Sequence, residues 1–538
     1  MLIHRLHWPV MAALVTSFAT VASRAQIVEE TESTPMEFVR VAADGWNFET
    51  VPSGKRFVPF GSNMVFDYHD ARHCIHILTQ AKWEPDTIRQ VFEGARALNM
   101  NVMKVFLTAS DVLPDPQTNE RVTFGELDPP LLERLDYVFD VARQTHIYVS
   151  LTYAEWGTLS LKWWQDGGIF VGRSSAEDND IDSFKVFANF WKALAERYKD
   201  EPALLSYNLA VEFYLPGGNW GGQESSERDY NLKDRWGRPA WQGWLNRKYD
   251  DVIALNEAWG TDYETFDVIE QPEIKWNGSA YTMPQTTVAD YNSFKEWVTY
   301  RFLKNQADAV RVVDKRHLIT CGFHPHHPAI LWAGAARYLA GLPPQELDFL
   351  DYVTVHVYTN PADGNPDVDP ALVAPRIRNA VNTARFAYAQ KPVVVEEMGY
   401  YVTDLEATAQ GTIQLLSALR GNASGFMLWC LSEIGDQPFG PLDHDLKPNS
   451  FGREWLKLPE PGGLVATLPV VRTPATTEIQ LERLEGLAPT RITAMQKLSA
   501  TEQAASGPVD FLWPLNPTIE RRQSGDNVPA PVSSPQGK

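Results

Sequence analysis

Between residues 57 and 430 short apolar runs alternate with longer stretches whose apolar residues recur at helical spacing. The runs are Phe57–Gly61, Val102–Leu107, Ile147–Leu151, Leu204–Leu209, Leu318–Cys321, Tyr352–Val355, Val393–Val395 and Phe426–Cys430. Each reads as a buried strand, and segments such as Pro130–Arg143 and Phe184–Tyr198 read as amphipathic helices between them. Eight strands in alternation with helices predict an α/β fold, a closed (β/α)8 barrel. An open doubly wound sheet would carry a Gly-rich phosphate turn after its first strand, and the sequence has none there.

The pattern departs from strict alternation in three places. Residues 214–291, after the fourth strand, form a Gly- and Trp-rich insertion containing Trp244–Tyr249 and Ala254–Thr261; on a barrel it would wall one side of the catalytic face. The barrel domain is expected to span 35–452, followed by a small appended segment, 453–505, to which no role is assigned. Residues 506–538, rich in Pro, Ser, Gly and Gln, have the composition of a disordered tail. At the other end, residues 1–25 read as an export signal: Arg5, an apolar centre from Trp8 to Val21, and small residues from Ala22 to Ala25. The expected location is therefore secreted or periplasmic.

Composition narrows the partners. A net charge of −20 argues against nucleic acid and anionic membrane. The 18 Trp and 19 Tyr supply flat rings that can stack on the apolar faces of sugars, although most such rings serve as core. Three cysteines make no tidy disulfide framework; Cys321 and Cys430 lie in apolar runs as buried free thiols, and Cys74 falls in a loop or short helix.

Two glutamates stand at strand ends, Glu212 after the fourth strand and Glu397 after the seventh. The C-terminal strand ends of a barrel are where catalytic groups converge. Cleaving a glycosidic bond with retention takes two carboxyl groups about 5–5.5 Å apart, one as nucleophile and one as acid and then base. Either glutamate alone would read as a solvated strand-end charge; the two together in these contexts point to catalysis.

These runs carry a resemblance. Arg197–Pro202 leading to Glu212 looks like the fourth-strand segment of clan A glycoside hydrolases, especially the mannanase-like members of family 5, and Lys391–Gly399 looks like their seventh-strand nucleophile motif. The resemblance implies Glu397 as nucleophile, with Glu396 as a neighbour, and Glu212 as acid/base. Asp351–Tyr358 resembles the sixth-strand His-x-Tyr motif, implying a substrate contact for His356 and a hydrogen bond from Tyr358 to the nucleophile. Trp429 matches the tryptophan that floors the sugar site, and Gly440–Asp443 with Lys447–Pro448 matches the closing loop. Trp244–Thr261 is similar to the segment that follows strand four in family 42 β-galactosidases. Two positions depart from the pattern. Val211 stands where the clan has an Asn that reads the sugar 2-hydroxyl, and Lys104 replaces a strand-two Arg, keeping the charge without the planar fork.

Other substrate-binding candidates are Lys104, Asn63, His324, and Glu155 with Trp156, of which the last two either line the cleft or pair and pack locally. His324, His326 and His327 share a loop stiffened by Pro325 and Pro328; a substrate contact suits them better than a metal. Glu433 is a fallback acid, and Trp163, Trp164, Trp220 and Trp236 are stacking platforms or helix packing. The function this implies is hydrolysis of a β-linked polysaccharide or oligosaccharide by double displacement, without metal or organic cofactor. β-Mannan or a related β-glucan is favoured by the strand motifs and a β-galactoside by the insertion. A transglycosylase on the same scaffold and, given Val211, a non-hydrolytic carbohydrate-binding barrel are the rivals. The sequence leaves oligomeric state open.

Overall fold

The computed structural model of the protein describes residues 35–66, 77–79, 82–107, 127–153, 182–211, 237–270, 275–276, 281–282, 290, 302–323, 349–359, 391–400, 404–419, 423–434 and 439–458. The expected signal, 1–25, and tail, 506–538, lie outside them.

The chain enters through a small antiparallel sheet of β1 (Phe38–Val41), β2 (Phe48–Val51) and β3 (Arg56–Phe57), which the reading of the sequence missed. The barrel follows: β4 (Phe60–Asn63), β5 (Val102–Leu107), β6 (Tyr148–Tyr153), β7 (Leu204–Asn208), then β10 (Leu318–Thr320) with β11 (Gly322–Phe323), β12 (Val353–Thr359), β13 (Val393–Tyr400) and β14 (Gly425–Leu428). All neighbouring pairs are parallel. β10 pairs with β7 and β11 with β12, and the two are one strand interrupted at Cys321, so the sheet closes on itself as an eight-position barrel. Each position coincides with a run read from the sequence, and the fold is the (β/α)8 barrel that was expected.

The helices pack outside. α1 (Pro85–Ala97) and α2 (Pro129–Thr145) both begin on proline, which presets the first helical turn and lacks a donor that would go unused there. His146 closes α2 in the left-handed region at φ 54°. α3 (Asp182–Tyr198) precedes β7, and α6 (Leu405–Leu419) lies between β13 and β14. The insertion holds α4 (Gly237–Lys248), α5 (Val252–Trp259), and the two-residue strands β8 (Lys275–Trp276) and β9 (Tyr281–Thr282). Trp241 stacks between Trp244 and Trp259 at 5.6 and 6.1 Å, so these tryptophans are the insertion's core rather than a sugar platform. The helix α7 (Ser450–Trp455) crosses the expected domain boundary at 452: Trp455 stacks on Phe60 at 4.8 Å and donates to the Leu98 carbonyl, so the chain belongs to the barrel through this turn. Of the expected appended segment, 453–505, residues 459–505 lie outside the described ones.

The barrel strands, irregularities aside, alternate between a face toward the helices and a face toward the barrel axis, both buried. On β5, Met103, Val105 and Leu107 meet the helices, while Val102, Lys104 and Phe106 point inward. Gly61 on β4 is dictated by closeness, because a Cβ there would lie 1.8 Å from the Val102 carbonyl oxygen. The inward residues form tiers. At the foot, Val102, Tyr148, Leu205, Leu318, Tyr352, Val394 and Met427 cluster with Val39, Phe48 and Phe57 from the N-terminal sheet, which plugs that end. Phe48 meets Tyr352 and Phe57 meets Tyr148 edge to face, at 5.4 and 4.9 Å. One tier higher the interior turns polar.

Candidate active site

Alternation on β13 faces Val393 and Val395 outward and Val394 inward; Met398 again faces the helices. Two residues, Glu396 and Glu397, therefore stand between consecutive outward positions where a regular strand has one. The pairing shows why. Val355 opposes Val395 and His356 opposes Glu397, which leaves Glu396 without a partner; the register with β14 also slips between Val395 and Met398. This is a β-bulge, and it turns both carboxylates into the barrel.

Both are buried, 1% exposed. Lys104, at the middle of β5, sets its ammonium 3.1 Å from Glu396 Oε1 and 3.0 Å from Glu397 Oε1. On the other side His356, from β12, places Nε2 3.5 Å from Glu396 Oε2 and Nδ1 3.3 Å from Glu397 Oε2. Asn208 on β7 donates to Glu396 Oε1 and accepts from the Gly322 amide at 3.1 Å. Burial alone would raise the Glu396 carboxyl. The Lys104 charge, with the polar His356 and Thr354 side chains nearby, overrides it and holds the group at about 2. Likewise burial would strip the Lys104 proton, but the two glutamates raise its pKa above the ordinary value.

The remaining expected residues divide. Lys104 is wholly buried as counter-ion of the two glutamates, and the structure gives it that place rather than one on the open cleft. Asn63 uses its amide donors on the Glu396 and Leu428 carbonyls, at 2.9 and 2.7 Å, tying β4 to β13 and β14 beneath the site. Trp429 follows β14, half-buried, edge to face with Phe106 at 6.5 Å. The Tyr358 backbone pairs with Gly399, two residues beyond Glu397; its side chain is outside the described part. Glu212, His324, Glu155 and Trp156 also lie outside the described residues, as do His326, His327, Trp163, Trp164, Trp220, Trp236 and Cys74. The backbone that delivers Glu212 is fixed as far as Val211, whose amide donates to the Tyr153 carbonyl at 3.3 Å. Val211 packs in an apolar cluster with Val65, Phe106 and Cys430, against Trp429. Glu433 accepts from Asn449 at 2.7 Å and so helps hold the closing loop, where Leu442 bridges Ser432 and Pro448. Cys321 and Cys430 are buried free thiols. Among the described residues no group of His, Cys, Asp and Glu could hold a metal ion.

The sequence reading treated Glu396 as a bystander and left out Asn208's tie to it. Two adjacent glutamates on a regular strand face opposite ways, and only the bulge, which composition does not announce, brings both inside.

The comparisons with known proteins bear on the same region. The glycoside hydrolase 42 family model, described as β-galactosidase, matches residues 178–355, about a third of the chain. A β-galactosidase of an Arthrobacter species is 28% identical over 134 residues, 24% of this chain and 17% of the relative. The β-galactosidase LacZ of Heyndrickxia coagulans is 24% identical over 238 residues, 43% of this chain and 33% of the relative. The matched part thus spans no more than a third of either curated relative's length. Among solved structures, a catalytic mutant of a GH42 β-galactosidase from G. stearothermophilus superposes with a TM-score of 0.53 at 18% identity, covering 76% of this chain and 56% of that one. That likeness speaks to the fold. The family named by the model match is 42, which the Trp244–Thr261 segment resembles, rather than family 5. The chain carries a (β/α)8 barrel, and about a third of its length matches the glycoside hydrolase family 42 model.

Proposed function

We propose that the protein is a retaining β-glycosidase, that its substrate is a β-galactoside, and that Glu397 is its nucleophile and Glu212 its acid/base. The observation that carries the proposal is the Glu397 carboxylate: inward at the C-terminal half of the seventh barrel strand, between the Lys104 ammonium and the His356 imidazole. A carboxylate so placed is kept anionic for attack on an anomeric carbon. Glu212, one residue beyond the fixed end of the strand-four segment, protonates the departing oxygen and then takes the proton of the attacking water. His356 and Trp429 hold the sugar, and Tyr358 orients Glu397. The galactoside is favoured over mannan or glucan because the family match and both curated relatives bear the name β-galactosidase. The chemistry needs neither metal nor organic cofactor, and the signal-like composition of residues 1–25 supports a site of action outside the cytoplasm.

A panel of aryl β-glycosides tests this. Turnover is expected for the β-galactoside above the β-mannoside and β-glucoside, and Glu397→Ala is expected to lower kcat/KM by about 10⁴-fold or more. Unchanged turnover in that variant would remove Glu397 from its role. The apolar setting of Val211 supports a second reading, a barrel that binds glycans without cleaving them. Binding of a galactoside by calorimetry with no turnover of any glycoside would establish it.

A further inference from the structure

Three buried side chains converge on Glu396, although the resemblance gives it no task. Its side chain is 1% exposed, and it is contacted by Lys104 from β5, Asn208 from β7 and His356 from β12, each wholly buried. Lys104 and His356 are also the groups that flank Glu397, so each bridges the two carboxylates: 3.1 and 3.0 Å from Nζ, 3.5 and 3.3 Å from the ring nitrogens. Both ring nitrogens of His356 lie within 3.5 Å of a carboxylate oxygen, Nδ1 of Glu397 Oε2 and Nε2 of Glu396 Oε2. The Nε2 contact is an ion-pair distance rather than a hydrogen bond, and two anions so close favour the imidazolium over the neutral ring. Two anions are then balanced by two cations, the condition under which buried charges persist.

We infer that Glu396 is a positioning residue for Glu397: its inward carboxylate anchors Lys104 and keeps His356 an imidazolium, so that a shared pair of cations surrounds the nucleophile. The inference rests on the assignment of Glu397 as nucleophile made above. Sharing matters chemically. A lysine held by Glu397 alone would bind the attacking oxygen tightly and oppose its departure toward the sugar; divided between two carboxylates, its hold on either is weaker. The other ionisable groups facing this cluster keep one state near neutrality. Burial, with the Glu396 charge, pushes the Tyr352 hydroxyl and the Cys321 thiol up, and burial, with the Glu397 charge, does the same for Cys430. With Lys104 raised and Glu396 held low, His356 is the group whose charge a change at Glu396 would release.

Ring ¹⁵N shifts of the histidines, with His356 assigned by His356→Gln, give the first test. The wild type is expected to show His356 doubly protonated at pH 7 and Glu396→Gln to show it neutral. A neutral His356 in the wild type overturns the inference, and this result depends neither on turnover nor on the folding of Glu396→Gln. The second test is the pH profile of kcat/KM on an aryl β-galactoside. Glu396→Gln is expected to lose about 100-fold and to move the alkaline limb down by about one unit, with Glu396→Asp recovering most of the loss. A Glu396→Gln profile that keeps the wild-type limbs, with His356 still an imidazolium, also overturns it. Full turnover by Glu397→Ala would refute the nucleophile assignment instead, and the two failures are separable because the nitrogen shifts report on the cluster directly.

Discussion

At the foot of the barrel Val102, Tyr148, Leu205, Leu318, Tyr352, Val394 and Met427 close on Phe48 and Phe57 from the N-terminal sheet. One inward step up the same strands stand Lys104, Ser150, Ser206, Thr320, Thr354 and Glu396, all buried as deeply. The lower tier is held by apolar area and edge-to-face rings. The upper is held by hydrogen bonds between strands, such as Ser150 to Ser206 at 3.0 Å and Ser206 to Tyr352 at 2.8 Å, and by the ionisable cluster of Lys104, His356, Glu396 and Glu397. Apolar contacts stabilise without direction, whereas buried charge stabilises only when every partner is in place. The barrel thus secures its fold at one end and leaves the other free to concentrate charge, at a stability cost that the foot offsets.

Removing a partner from the upper tier should have the largest effect. Lys104→Met leaves two buried carboxylates facing one histidine, and a loss of about 3–5 kcal/mol in denaturant unfolding is expected. Lowering the pH should narrow the deficit, since a proton on either glutamate removes the unpaired charge. An equal deficit at pH 4 and pH 7 would show that packing of the lysine stem, not its charge, is what matters. At the foot, Leu205→Ala should cost about 2–4 kcal/mol at every pH, with kcat close to wild type. A fall in kcat as large as the loss of stability would break the division between the tiers.

The smaller effect concerns acid. Glu396 and Asp314 both titrate at about 2 in the folded protein, below ordinary values of 4.5 and 3.8. For Asp314, burial acts upward and is outweighed by His317, at 2.6 Å, and by donors including the Tyr207 hydroxyl at 2.8 Å. Because these carboxyls are depressed on folding, their contribution is complete above about pH 4.5 and is lost as pH falls toward 2. They are worth about 3 kcal/mol for Glu396 and about 2 kcal/mol for Asp314. Asp314→Asn, which removes one such group without touching the glutamate cluster, should flatten the acid limb of stability and leave the pH profile of turnover in place.

The foot was legible in the sequence and the upper tier only partly so. Runs such as Val102–Leu107 and Leu204–Leu209 announce buried strands by composition, and the seventh and eighth follow the same rule. The N-terminal sheet was not, because Phe38–Val41 and Phe48–Val51 are four-residue pieces whose apolar side chains find their use only under the barrel. Glu397 was legible from its strand-end position. Glu396 was not: once Glu397 is taken as the inward residue, period-two alternation leaves no room for its neighbour on the same face, and the bulge that turns both inward follows from the register of β12 and β14. Lys104 read as a substrate contact because its charge is visible in sequence while its burial is not.

The central claim is that Glu397 attacks the sugar, and covalent trapping tests it most directly. A 2-deoxy-2-fluoro β-galactoside with a good leaving group slows release of the glycosyl-enzyme, so digestion and mass spectrometry can locate the bond. The account predicts a label on the peptide containing Lys391–Gly399, with fragmentation placing it on Glu397. A label on Glu396, Glu433 or any peptide outside β13 would contradict it.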